Sequence, residues 1–209
     1  MAALVEFFFD LSSPWTRLAF QNIQPIVAAT GAHITWRPFL VGAVFNAVND
    51  SVYADRANPA SLKSRNVFKW LKDWASIAGV PMNFPSPHHP LKSVAAMRFC
   101  CALEPDQDKL FQFASRAFDA YFAGQRNLDN PAELIAIADE CGLPGSEIAA
   151  RAQSNEIKQA LRAATDEAIE RGAFGSPMIF VDRRFVYFGN DQLPLVLRRI
   201  EAIHATTTG

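Results

Sequence analysis

Val5 to Phe9 form a short, mostly apolar run, VEFFF, of strand length. Asp10 to Pro14 interrupt it with turn and cap chemistry, and Trp15, Leu18, Ala19 and Ile23 then recur at helical spacing. This pattern predicts a strand, a tight turn and a helix. Within 32–40, Ile34, Trp36 and Pro38 predict a second strand that ends at the proline. Strand, helix and strand in that order make a parallel unit with a right-handed crossover.

The next stretch, 41–61, is less regular. Gly42, Asn46, Asn49, Asp50, Asn58 and Pro59 read as a loop with short helical turns, and a loop that long inside a domain points to function. Over 60–79 the pattern is helical, with Val67, Trp70, Leu71, Trp74, Ile77 and Ala78 as the apolar stripe. Further helical stretches are predicted at 91–103, 106–122, 131–141, 146–154 and 156–171. Their stripes, such as Phe111, Ala114, Phe118 and Phe122, are assigned to the core. The period then changes. Residues 178–182 and 185–188 predict a β-hairpin turning at Arg183 and Arg184, and 190–203 predict a closing helix.

Half of the 209 residues are hydrophobic and a fifth are charged, which suits a globular chain with a full core. A net charge of −1 gives no electrostatic support for a nucleic acid or an acidic membrane as partner. No apolar run approaches the roughly 18–20 residues needed to span a bilayer, and no secretory signal pattern opens the chain, so the expected location is cytoplasmic. The 17 phenylalanines imply an aromatic-rich core or pocket. Cys100, Cys101 and Cys141 are an odd, unpaired set and are expected as free thiols. The four histidines show no metal-ligand spacing, so no metal is expected.

Chemistry concentrates in three places. Ser12 or Ser13 can cap the first helix, and Pro14 sits where a first-turn proline is tolerated. A Ser13 hydroxyl there lies beside unpaired N–H groups and the positive end of a helix dipole, which favours an anion such as a thiolate. The plain alternative is a cap and nothing more. Lys63 lies near the start of a helix, where the dipole does not favour a cation; an anionic ligand would explain it, as would simple solvation. Ser176-Pro177 falls just before the third strand. With the helical block set aside, the order of elements is that of thioredoxin.

Four segments in order carry a specific resemblance: FFFDLSSPW, WRPFLVGAVF, Lys63 before a helix that ends in GVPMNFP, and FGSPMIFVDRRFVYFGNDQL. The chain resembles the 2-hydroxychromene-2-carboxylate isomerases and the kappa-class glutathione transferases, which are akin to the DsbA-type oxidoreductases. The resemblance covers nearly the whole chain. It implies an α/β, thioredoxin-like fold with a large all-helical insertion: residues 1–41 and 166–209 as the thioredoxin-like domain, 42–165 as the insertion.

The resemblance also implies roles. Ser13 hydrogen-bonds the sulfur of a glutathione cofactor. Lys63 pairs with its glycine carboxylate. The backbone of Ser176, before a cis Pro177, holds the cysteinyl part. Asn190 and Asp191, at a helix N-terminus, take the γ-glutamyl carboxylate and ammonium. A loop asparagine contributes, Asn49 in preference to Asn58. Ser13 and Thr16 stand where a thioredoxin has its two cysteines, so the chain itself cannot cycle a disulfide there. The implied activity is glutathione-dependent isomerisation of 2-hydroxychromene-2-carboxylate to trans-o-hydroxybenzylidenepyruvate in aromatic catabolism, by addition and loss of the thiolate. The alternatives are a transferase or peroxidase acting on hydrophobic electrophiles, and a non-catalytic binding protein. The implied partners are glutathione and a small aromatic substrate, in a homodimer. The chain departs from its relatives at Trp15-Thr16-Arg17, where Arg17 is expected to meet an anionic substrate or to face solvent.

Overall fold

The computed structural model describes residues 2–207, and the side chains of all of these but 54–56 and 207. The elements begin β1 (Leu4–Phe9), α1 (Pro14–Thr30) and β2 (His33–Pro38). They continue with α2 (Val41–Val48), α3 (Ser51–Ala57), α4 (Leu62–Ile77), α5 (Val94–Leu103) and α6 (Gln107–Phe122). Then come α7 (Pro131–Glu140), α8 (Gly145–Ala152) and α9 (Asn155–Glu170). The hairpin β3 (Met178–Val181) and β4 (Phe185–Phe188) and the helix α10 (Leu193–Thr207) close the chain.

The sheet runs β2-β1-β3-β4. β1 pairs in parallel with β2 and antiparallel with β3, and β3 pairs antiparallel with β4. Alternation along β1 divides its side chains between two faces. Val5, Phe7 and Phe9, with Ile179 and Val181, pack on Phe20 and Ile23 of α1, on Val196 and Ile200 of α10, and on the helices α5 to α8. Phe8, with Met178 and Phe180, packs on Val44 and Phe45 of α2 and Ala168 of α9. The phenylalanines expected in a core are there: Phe7, Phe9, Phe20, Phe113, Phe118 and Phe122 are all almost fully buried.

Glu6 shares the second face, and it is buried too. Arg171 reaches its carboxylate at 2.5 Å and Arg37 lies 3.4 Å away, and both arginines also pair with Glu167. The Arg171 guanidinium sits 4.0 Å over the ring of Phe180, so these charges cover an apolar face rather than interrupt it.

Three expectations change. The stretch 41–61, expected as a loop with short helical turns, holds two helices, α2 and α3. Val41, Val44, Phe45 and Val48 already hold a helical period, which Gly42 and Asn46 obscured by suggesting a turn. On α4, Leu71 and Ala75 are buried against Leu18 and Val80, whereas Trp70 and Ile77 are 54% and 76% exposed. The packed stripe is therefore rotated from the one read off the sequence. Finally, α10 starts at Leu193, so Asn190 and Asp191 precede it. Residue 165, the expected end of the insertion, lies within α9.

Candidate active site

The site forms where β1 gives way to α1. Ser13 has extended backbone and its hydroxyl accepts from the Thr16 N–H at 3.2 Å, so of the two serines it is Ser13 that caps α1. Pro14 opens the helix, where the missing N–H costs nothing. The Ser13 hydroxyl donates in turn to the Ser176 carbonyl at 3.0 Å. The Ser176-Pro177 bond is cis, as the resemblance implied. The Ser176 hydroxyl lies 2.8 Å from that of Thr16 and accepts from the Asp10 N–H at 3.1 Å. The carbonyl of Ser176 is thus engaged within the chain, although it had been expected to face a ligand.

A cavity of about 640 Å³ opens over this junction. Ser12, Ser13, Asn49, Lys63 and Ser176 all line it. Its remaining wall is largely apolar and aromatic, with Trp15, Phe45, Phe68, Phe84, Phe174 and Phe188. Such a wall around a few convergent polar groups is the usual form of a small-molecule site. A second cavity of about 320 Å³, bordered by Lys92 and the first residues of α2, shares Ser12, Val41, His89 and Pro90 with the first.

The other expected residues divide. Asn49 ends α2, donates to the Phe174 carbonyl at 3.0 Å and accepts from the Ser51 hydroxyl. It ties the α2–α3 joint to the loop before Pro177, across the cavity. Asn58 does not line the cavity. Asn190 does not line it either: it is buried, and its Oδ1 accepts from Asn22 at 2.7 Å. Its Nδ2 is buried and makes no hydrogen bond with the described residues. Asp191 is exposed beside the end of the hairpin.

Arg17 meets neither of its expectations. It is 4% exposed and donates to Asp119 at 2.6 Å, so it faces α6 rather than solvent or the cavity. The cysteines are free; Cys100 and Cys101 are buried, and burial pushes both thiols up. None of the three lines the cavity, so a reactive sulfur there has to arrive with a ligand.

Asp10 carried no role in the sequence reading, yet it is the most connected polar residue at the site. It is fully buried, and it accepts from the Ser12 N–H at 2.9 Å, the Val41 N–H at 3.0 Å and the Ser93 hydroxyl at 3.0 Å. Burial pushes its carboxyl up, and these hydrogen bonds pull against that. An aspartate at the end of an apolar strand, directly before a serine-serine-proline turn, was the available signal.

Residues 4–201 match the family model described as the DSBA-like thioredoxin domain. The chain belongs to that family. It is 27% identical over 195 residues to a 2-hydroxychromene-2-carboxylate isomerase of Sphingobium xenophagum, covering 92% of this chain and 95% of that one. It is 24% identical over 204 residues to glutathione S-transferase kappa 2 of Caenorhabditis elegans, covering 92% and 89%. A solved structure of 2-hydroxychromene-2-carboxylate isomerase superposes with a TM-score of 0.82 at 22% identity, covering 98% of each chain. The fold is therefore a DsbA-like thioredoxin fold, with a mixed sheet and many helices. Within the family, its cavity carries Ser13 at the head of α1 and no cysteine.

Proposed function

We propose that the chain is a glutathione-dependent isomerase of the 2-hydroxychromene-2-carboxylate type. One observation carries this reading. A serine hydroxyl, not a thiol, stands at the N-terminus of α1, facing Ser176 and opening into an apolar cavity that also holds Lys63. The helix end and the hydroxyl favour an anion at that point, and the aromatic wall favours an apolar partner beside it.

The residues lining the cavity fit glutathione on their donor set, the Ser13 hydroxyl at a helix N-terminus and the Lys63 ammonium. Lys63 meets the glycine carboxylate, and Asn49 borders the same end. Ser176 presents its backbone to the cysteinyl part. Asn190 Nδ2 and Asp191 take the γ-glutamyl end. When bound, glutathione supplies a thiolate able to add to and leave a conjugated alkene. Ser13 donates its hydroxyl proton toward the sulfur position, giving up the Ser176 carbonyl to do so. Trp15, Phe68 and Phe84 exclude water and hold an aromatic ring beside it.

The test is spectroscopic conversion of 2-hydroxychromene-2-carboxylate with and without glutathione. Glutathione-dependent formation of trans-o-hydroxybenzylidenepyruvate, with glutathione recovered, is the expected result. Glutathione consumed as an adduct assigns the transferase activity named in the kappa relative instead. No turnover and no glutathione binding would sink both.

A further inference from the structure

Every partner of the Asp10 carboxylate donates to it, and two of these donors are backbone N–H groups that cannot reverse. Oδ1 takes the Ser12 N–H; Oδ2 takes the Val41 N–H, at the start of α2, and the Ser93 hydroxyl, at the start of α5. The main chain of Asp10 continues the pattern. Its carbonyl accepts from the Ser13 N–H at 3.2 Å, and its N–H donates to the Ser176 hydroxyl at 3.1 Å. One residue thus holds both halves of the Ser13–Ser176 junction, the start of α2 in the cavity wall, and the start of α5 beside the smaller cavity.

No lysine, arginine or histidine pairs with Asp10 among the described residues. A fully buried carboxylate without a counter-ion is costly, and an apolar side chain would end β1 at less cost. The geometry that its donors impose is what offsets that cost. We propose that Asp10 is a positioning residue for the sulfur site: it fixes the Ser12–Ser13 turn against Ser176, so that the Ser13 hydroxyl meets a ligand sulfur. The proposal rests on the reading of the cavity as a glutathione site. Asp10 acts through Ser13 and does not itself touch the ligand.

Asp10→Asn tests it. An amide offers one acceptor oxygen and one NH₂ group with two donors, so in either orientation a backbone N–H, of Ser12 or of Val41, faces an NH₂. The readout is a ratio of affinities measured by calorimetry. One ligand is glutathione; the other is the tripeptide analogue with a methyl group in place of the thiol. The ratio reports the sulfur contact, and the analogue alone reports the rest of the site. Wild type should prefer glutathione by about tenfold or more, the size of a hydrogen bond to a charged group. Asp10→Asn should bring the ratio to within about twofold of one, while analogue affinity stays within about threefold. Phe113→Leu, a core substitution away from the cavity, provides a destabilised reference whose ratio should match wild type.

A wild-type ratio in Asp10→Asn overturns the positioning role and leaves the glutathione site intact. Equal loss of both ligands in Asp10→Asn also overturns it, because the residue then supports the fold alone. Wild type that binds neither ligand overturns the glutathione reading, and this inference falls with it.

Discussion

The Ser13 hydroxyl donates to the carbonyl of Ser176 at 3.0 Å while accepting from the Thr16 N–H at 3.2 Å. It has one proton, and the loop before β3 holds it. In the proposed glutathione complex a ligand sulfur would receive that proton by taking the place of the Ser176 carbonyl, which would couple binding to release of that loop contact. Ser13→Ala removes the donor and the cap together. Turnover should fall about 10- to 100-fold, the range of a hydrogen bond to a charged group. The lost cap should cost about 1 kcal/mol, lowering Tm by roughly 2–4 °C. Steady-state kinetics and thermal melts separate the two effects; unchanged turnover would remove Ser13 from the mechanism.

Lys63 lies on the cavity wall at the start of α4, and in the proposed complex it meets the glycine carboxylate of glutathione. There it meets the carboxylate and not the sulfur, so it would hold ground state and transition state alike. Lys63→Ala should raise KM for glutathione about tenfold and leave kcat nearly constant. The wild-type advantage should shrink as salt is added, because exposed charge is screened. A drop in kcat with constant KM would place Lys63 at the chemistry instead.

Much of this site was legible because local chemistry and fold agree there. An apolar strand, a serine-serine-proline turn and an apolar helical face can be assembled in few ways, and β1, α1, β2 and the hairpin lie where the pattern puts them. Ser13, Lys63, Asn49 and Ser176 meet at one cavity because each closes or opens such an element. The misreadings share a cause. Gly42 and Asn46 are local turn signals that the apolar contacts of Val44 and Phe45 override. Trp70 and Ile77 fall near the packed stripe of α4 in sequence, and only the position of α1 decides which side is covered. Arg17 and Asn190 are themselves buried, on Asp119 and Asn22, partners far away in sequence that no local pattern reveals. Asp10 looked like an ordinary turn residue, because Val41 and Ser93 reach it only in the folded chain.

Gly175 makes room for an aromatic ring. A Cβ at that position would lie 2.5 Å from Cε2 of Phe188, whose ring packs 4.7 Å from that of Phe174. All three residues line the cavity. Gly175→Ala must therefore push the Phe188 ring or the loop holding Ser176, and overpacking of this kind costs about 1–3 kcal/mol. Glutathione affinity should fall several-fold, about 1 kcal/mol, by calorimetry. Adding Phe188→Leu should restore most of both losses; no recovery in the double variant would mean that the ring is not the obstacle.

The Glu167 carboxyl, which shares its arginines with Glu6, ties part of the fold's stability to pH. Arg171 bonds both Glu6 and Glu167, and Arg37 reaches both as well. Burial pushes the Glu167 carboxyl up, but the hydrogen bonds from Arg171 and Arg37 outweigh it and hold the group below the usual glutamate range. A carboxyl lowered in the folded state stabilises the fold above its unfolded value, and that stability is lost as pH falls through the folded value. Glu104 has the opposite sign: burial holds it above the usual range despite Arg37, so its contribution is lost as pH rises. Arg171→Ala leaves Glu104 its own partner and strips Glu6 and Glu167 of one of theirs. Removing one member of a buried pair costs about 3–5 kcal/mol, so Tm at neutral pH should fall by roughly 10 °C or more. The gap between wild type and variant should narrow only as the pH falls through the lowered folded value of Glu167, below which it is neutral in both. Chemical denaturation across pH measures that gap; one that stays constant to low pH would show that Arg171 stabilises by packing on Phe180 and not by its charge.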